Sequence, residues 1–196
     1  MSRMHFTIVA ALVPIALAAA PAPAIAQEVN VPAFRSVELT GGGHVTVRHG
    51  ARQSVRLVRG DADVTDFEVR RDGSDGQLVI RACRTSCRNY DLRIEIVTPD
   101  LEALAIRGGG VIEVQPGFPA EPDFALAVTG GGHLDARALG ARNVAAAVRG
   151  GGHILTAPRS ALAASVNGGG AIVYSGKPTL SVSIRGGGTV TRSGGR

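Results

Sequence analysis

The sequence predicts an all-β, helix-poor fold, a parallel β-helix (solenoid) built from coils of 18–22 residues. A Gly-Gly-Gly triplet occurs six times, and from the second copy onward the starts lie 22, 20, 18 and 18 residues apart. The six triplets begin at Gly41, Gly108, Gly130, Gly150, Gly168 and Gly186. Units of this length stack because no single unit can bury its own apolar face. No segment shows a sustained period of 3.6 residues, so helices should be nearly absent.

The first 26 residues have the features of a secretory signal peptide. Arg3 is followed by an uncharged apolar run over residues 6–20, and Ala24-Ile25-Ala26 provides a small-x-small cleavage site before Gln27. Three prolines interrupt the apolar run, which is also short for a membrane span. We therefore expect cleavage and a mature chain of residues 27–196, which is long enough for one domain and has no transmembrane span.

The mature chain divides into two parts. Residues 30–103 form an irregular part with one triplet and six predicted strands: SVELT, HVTVR, SVRLVR, DFEVRR, QLVIRA and DLRIEIVT. Residues 104–196 hold five regular units, which read LAIR-GGG-VIEV, LAVT-GGG-HLDA, AAVR-GGG-HILT, ASVN-GGG-AIVY and VSIR-GGG-TVTR.

Two aliphatic positions recur around the triplets of the regular units. One set lies two residues before the triplet: Val128, Val148, Val166 and Ile184. The other lies four residues after its first glycine: Leu134, Ile154, Ile172 and Val190. With two-residue alternation, each set points to one side of its strand, and stacking at about 4.8 Å turns it into a continuous ladder.

The order of elements resembles a family of bacterial exported proteins named putative auto-transporter adhesin, head GIN domain. The matching features are Phe34-x-x-Val37-x-Leu39 before a triplet, the strand QLVIRA, and IEIVTPDLEALAIRGGG leading into further glycine-rich coils. The resemblance covers about residues 30–196. It implies that the β-helix is right-handed and that the protein lies on the cell envelope, and it supplies no catalytic residues.

Charge is distributed unevenly along the mature chain. Residues 27–103 carry 11 basic and 12 acidic side chains, whereas residues 104–196 carry 9 basic and 4 acidic ones. The basic charge of residues 104–196 either keeps the protein soluble or indicates contact with anionic envelope polymers. Nucleic acid is not expected as a partner, because an exported protein has little access to it.

The two cysteines, Cys83 and Cys87, lie in one loop between predicted strands. An oxidising compartment favours a disulfide between them, which would clip the loop locally. A redox or zinc pair is the alternative. Zinc commonly needs four ligands, and no second cysteine pair exists.

The sequence offers little support for calcium, nucleotide, nucleophile and transition-metal sites. Calcium needs six to eight oxygens, and only Asp135 follows a triplet at a suitable place. No nucleotide-binding motif and no nucleophile elbow is present. His133 and His153 would lie on neighbouring coils and could share a transition metal, although other residue types fill the same place elsewhere. The sequence thus predicts no catalytic, cofactor-binding or metal-binding residue and leaves that histidine pair open.

These observations favour a non-enzymatic envelope protein, periplasmic or surface-exposed, whose stacked face is structural or binds an envelope or surface partner. The alternatives are a carbohydrate-binding module, where only Tyr90 and Tyr174 would reach solvent, and a polysaccharide-acting enzyme. We expect a monomer or weak dimer. The open edge of the last unit would attract pairing, and Arg192 and Arg196 would act there as charge gatekeepers.

Overall fold

The structure is a computed structural model that describes residues 26–71, 76–83 and 90–194. Within these ranges the chain is mostly β-strand, with one turn of 3-10 helix at Arg137–Leu139. The strands, numbered in chain order, are β1 (Gln27–Val29), β2 (Ser36–Gly41), β3 (His44–His49), β4 (Ser54–Arg59), β5 (Asp66–Arg71), β6 (Gly76–Arg81), β7 (Arg93–Thr98), β8 (Ala103–Gly108), β9 (Val111–Val114), β10 (Asp123–Gly130), β11 (His133–Ala136), β12 (Asn143–Gly150), β13 (His153–Thr156), β14 (Ala161–Asn167), β15 (Ala171–Tyr174), β16 (Thr179–Arg185) and β17 (Thr189–Arg192).

The described strands form two sheets, and the chain passes from one to the other at each triplet. The eight-stranded sheet has the order β16-β14-β12-β10-β8-β2-β6-β5. The nine-stranded sheet has the order β1-β4-β7-β3-β9-β11-β13-β15-β17. Pairing is parallel except at β1–β4, β4–β7 and β5–β6, which are antiparallel. The prediction of an all-β, helix-poor chain is confirmed, as two mixed sheets that are not closed.

The two aliphatic ladders are present in the predicted register. Val128, Val148, Val166 and Ile184 are direct partners across β10, β12, β14 and β16. Leu134, Ile154, Ile172 and Val190 are partners across β11, β13, β15 and β17. Apart from Ile184, which is exposed on the last strand of its sheet, the residues of both ladders belong to or pack against one hydrophobic cluster between the sheets, which extends from Phe34 to Ile172. Constant spacing around the triplets sets this register, because a slip by one residue would turn each ladder outward.

The first triplet joins the regular stack, which the division of the chain at residue 103 did not predict. β2 pairs with β8 so that Gly41 lies opposite Gly108, and Val37 and Leu39 face Leu104 and Ile106. The irregular part therefore continues the same core. Its antiparallel strands β1, β4 and β5 lie at the opposite end of the sheets from β16 and β17.

The predicted signal peptide lies almost wholly outside the described residues. The first strand starts at Gln27, the residue expected to become the N-terminus, and pairs with β4. In the described part of the chain, no helix has the length and apolarity to cross a bilayer.

Candidate binding face

The outer side of the eight-stranded sheet is a broad face of very small side chains. Strands β10, β12 and β14 alternate between buried and exposed residues, so that every second residue reaches solvent. The outward residues form two rows across five strands: Ala103, Ala125, Ala145, Ala163 and Ser181, and Ala105, Ala127, Ala147, Ser165 and Ser183. We call these two rows the alanine-serine face. They line a shallow apolar depression of about 580 Å³.

One long margin of this face carries a regular series of arginines. The residue just before each triplet points outward, and these residues are direct partners from strand to strand. From β2 to β16 they are Thr40, Arg107, Thr129, Arg149, Asn167 and Arg185 in spatial order, and Arg81 on β6, the partner of Thr40, extends the series; we call these seven residues the arginine row. An arginine thus occurs on every second strand, and successive arginines start about 9.6 Å apart.

The arginine row is neutralised at one end. Arg81 contacts Asp66 and Glu68 at 2.6 and 2.8 Å. Arg107 Nε lies 2.9 Å from Oε1 of Glu38, a residue that is only 6% exposed. The carboxylates on β2 and β5 therefore compensate the first two arginines of the row.

At the other end, Arg149 and Arg185 form no ion pair with any residue that the structure describes. Both are exposed, and they flank a polar cleft of about 300 Å³ in which Asn167 lies between them. Ser165 and Ser183 complete its polar lining. Two guanidinium groups beside an amide and two hydroxyls provide several hydrogen-bond donors and no competing carboxylate, which suits an anionic group.

The opposite margin of the face is acidic. Asp100, Glu102, Glu121 and Asp123 lie there, and Glu102 and Asp100 share Arg35 at 2.7 and 3.7 Å. Burial, and then the negative charges of Asp100 and Glu102, raise the pKa of Glu121. The six-residue distance along β10 from Asp123 to Thr129 separates this margin from the arginine row by about 20 Å. An anionic ligand is therefore directed to one side of the face.

The histidines lie on the other sheet. His133 and His153 are direct partners on its outer side, with ring centroids 6.4 Å apart. His44 contacts Glu113, with Nε2 and Oε2 3.4 Å apart. Among the described residues, no group of three or more His, Cys, Asp or Glu side chains is arranged to hold a metal ion. The structure thus brings the histidine pair together without a third ligand.

Asp135, the candidate calcium ligand, has a different partner. Its carboxylate accepts hydrogen bonds from Nε of Arg137 at 3.0 and 3.1 Å. Partial burial raises its pKa, but the hydrogen bonds and charge of Arg137 outweigh this effect and leave the pKa below its ordinary value. This carboxylate stabilises the turn after β11.

The two candidate sugar-stacking tyrosines are half-buried against the core. The hydroxyl of Tyr90 lies 2.8 Å from Oγ1 of Thr65 and donates to the backbone oxygen of Asp61 at 3.0 Å. Tyr174 lies at the end of β15, opposite Thr156. Partial burial leaves less of each ring for a sugar to stack on, which argues against a sugar site built on them.

Cys83 is disulfide-bonded. Cys87, its expected partner, lies outside the described residues, so the pairing of these two cysteines stays a prediction.

Sequence reasoning missed the arginine row, although its signal was visible. Aligned on the triplets, the preceding residues of the five regular units read Arg, Thr, Arg, Asn and Arg. The alternation has meaning only when the units are known to be in register, because register converts a spacing along the chain into a row on a surface.

The chain is similar to one described family and to solved structures. A family model described as "Putative auto-transporter adhesin, head GIN domain" matches residues 33–118 and 122–178. A solved structure of a putative adhesin from Bacteroides fragilis gives a TM-score of 0.51 at 20% identity, covering 86% of this chain and 96% of that one. A putative cell adhesion protein from Clostridium sporogenes gives 0.42 at 12% identity, covering 85% and 98%. At such identities, the first likeness shows a common fold and no more. Among curated proteins, none matches the sequence.

Proposed function

Because the chain belongs to the family of putative auto-transporter adhesins with a head GIN domain, we propose that it is an exported, non-catalytic envelope protein that binds an anionic polymer. The polymer lies along the arginine row. The observation that carries this proposal is the cleft between Arg149 and Arg185, two exposed arginines without a carboxylate partner in the described part of the chain.

The layout of the face supports a polymer more than a small anion. The row runs across the strands and places the two uncompensated arginines, Arg149 and Arg185, about 9.6 Å apart, so a linear polyanion with charges at a similar spacing can contact both at once. Alanine and serine side chains beside the row leave room for the body of such a chain. The acidic margin repels it from the far side.

We propose that the strands from Ala103 to Arg192 wind as a right-handed parallel β-helix. In-register parallel pairing across five strands of the eight-stranded sheet, β8, β10, β12, β14 and β16, supports this assignment.

Binding should be measured with two anionic polymers, polygalacturonate and heparin, and with neutral dextran. We expect both polyanions to bind, with an affinity that falls as salt rises, and dextran not to bind. Arg149→Ser with Arg185→Ser should weaken binding by about tenfold or more, since each lost arginine removes charge-assisted hydrogen bonds. The control, Arg52→Ser with Arg56→Ser, removes the same charge elsewhere and should leave most of the affinity.

The same mixtures test the absence of catalysis. Polymer chain length and reducing ends should stay constant during incubation with the protein. Equal losses in both double variants would assign binding to net charge alone, and dextran binding would favour the carbohydrate-binding module. Release of shorter products would contradict the non-catalytic proposal.

A further inference from the structure

The end of the stack at β16 leaves three aliphatic side chains uncovered. Leu180, Val182 and Ile184 are 43%, 45% and 43% exposed. Their direct partners one strand inward, Leu162, Ala164 and Val166, are at most 4% exposed because β16 covers them. The three residues therefore occupy positions that are buried on β14, and a further strand beside β16 would bury them in the same way.

The same three residues carry the backbone N–H and C=O groups of β16 that face the free edge of the sheet. The N–H of Thr179 donates to the oxygen of Ser160, and the oxygen of Arg185 accepts from the N–H of Gly168, so both residues turn toward β14. Successive residues of a strand direct these groups to opposite edges. Leu180, Val182 and Ile184 thus aim their N–H and C=O groups at the free edge, where another strand can pair.

The sequence of β16 is self-complementary about its central residue. It reads Thr-Leu-Ser-Val-Ser-Ile-Arg, with Val182 in the middle. Antiparallel pairing about a two-fold axis through Val182 sets Val182 against its own copy, Leu180 against Ile184 and Ser181 against Ser183. Inward side chains then meet inward ones, and an isologous contact requires this self-complementarity.

Charge fits the same arrangement. The strand's one ionisable residue, Arg185, falls opposite Thr179 of the second copy, and the two arginines are about 20 Å apart. The opposite end of the sheet is a poorer match for β16. Its edge strand β5 carries Asp66, Glu68 and Arg70, while Phe67 and Val69 are already partly buried. Arg192, expected as a gatekeeper, lies in β17 in the other sheet, and Arg196 is outside the described residues.

We propose that β16 is a homodimerisation strand: a second copy of this chain pairs antiparallel with it about Val182, which joins the two eight-stranded sheets end to end. The partner is another molecule of this protein. The contact buries the apolar side chains, satisfies the edge hydrogen-bonding groups and continues the sheet. The inference does not rest on the proposed polymer binding, since the outer face stays open in the dimer.

A charge-swap experiment tests this contact, because a residue on a two-fold axis meets its own copy. The purified protein should sediment as a dimer that dissociates on dilution. Val182→Glu and Val182→Lys should each weaken association by on the order of 100-fold, since like charges are then placed side by side. An equimolar mixture of the two variants should recover the dimer, as a pair of unlike charges.

Each variant should keep the far-UV spectrum and melting temperature of the monomer, because the substituted side chain is half-exposed there. Ser165→Glu, which adds a charge on the outer face, is the matched control and should dimerise normally. A wild-type monomer at all concentrations would overturn the proposal, as would single variants that still dimerise. Association without rescue in the mixture would indicate a head-to-tail contact instead and would also overturn it.

Discussion

Within each triplet the three glycines meet different surroundings, as Gly168, Gly169 and Gly170 show. Gly168 has a φ of +124°, in the region that favours glycine, and a Cβ there would lie 2.6 Å from the oxygen of Gly150. A Cβ on Gly169 would meet nothing within 4 Å. A Cβ on Gly170 would lie 2.4 Å from the oxygen of Gly152 and 2.6 Å from Cγ1 of Val148. The first and third glycines thus allow the backbones of neighbouring units to approach, whereas the middle one faces solvent.

This difference gives a paired prediction. Gly170→Ala should lower the free energy of unfolding by about 1–3 kcal/mol, because the added methyl group collides with a backbone oxygen held in the stack. Gly169→Ala should be neutral or slightly stabilising, since it restricts the unfolded chain without a clash. Chemical denaturation of the two variants checks both signs. Equal effects would mean that the triplet recurs along the chain for a reason other than close backbone packing.

A second prediction concerns Val166, a residue of the inward ladder that is only 1% exposed. Val166→Asp should destabilise the protein by several kcal/mol, because it places an unpaired carboxylate between two aliphatic partners. Ser165→Asp, one residue earlier on the exposed outer face, is the control and should change the melting temperature little. An unchanged melting temperature for Val166→Asp would show that the inward and outward sides are wrongly assigned.

At the scale of elements, the sequence predicted strands better than their partners. The six strands expected between residues 30 and 103 are found, and both ladders lie in the expected register. A two-residue alternation identifies a strand and its buried side, but it does not give the direction of the neighbouring strand. The antiparallel pairing of β4 with β7 and of β5 with β6 was therefore not predictable. The pairing of β2 with β8 was hidden for another reason: the regular period stops between them, and a long insertion separates two adjacent strands.

The acidic margin between β8 and β10 makes a pH-dependent prediction. Because the pKa of Glu121 is raised above its ordinary value of 4.5, the folded protein binds this proton more tightly than the unfolded chain. The stabilisation that comes from protonated Glu121 is therefore complete below its ordinary pKa and is lost as pH rises through its pKa in the folded protein. Glu121→Gln should raise the melting temperature at pH 7 and give no advantage at low pH. Glu28→Gln, an exposed substitution in β1, should not reproduce the gain at pH 7.

At the scale of the whole molecule, one core connects both parts of the chain. The hydrophobic cluster includes residues from β2 to β15, so the division at residue 103 is not a boundary in the packing. We therefore expect residues 27–196 to behave as one β-rich domain with a single main unfolding transition. Far-UV circular dichroism showing substantial helix, or two well-separated calorimetric transitions, would contradict this expectation.

Stability should nevertheless fall toward the open end. In a stack of repeats each unit is held mainly by its neighbours. The units in the middle have two, whereas β16 and β17 have one described neighbour each, β14 and β15. The exposed Leu180, Val182 and Ile184 add little packing energy to that end in a monomer. Local opening should thus begin at β16 and β17 and reach β2 and β8 last.

Hydrogen exchange of the Val182→Glu variant, which should be monomeric, measures this gradient. Peptides from β16 and β17 should exchange first, those from β12 and β14 next, and those from β2 and β8 near the rate of global unfolding. Wild-type protein at high concentration should protect the peptide containing β16, because its edge N–H groups then find partners in the second copy. Uniform protection along the variant would show that the stack opens only as a whole. A gradient that starts at β5 would place the weaker end on the side of the antiparallel strands.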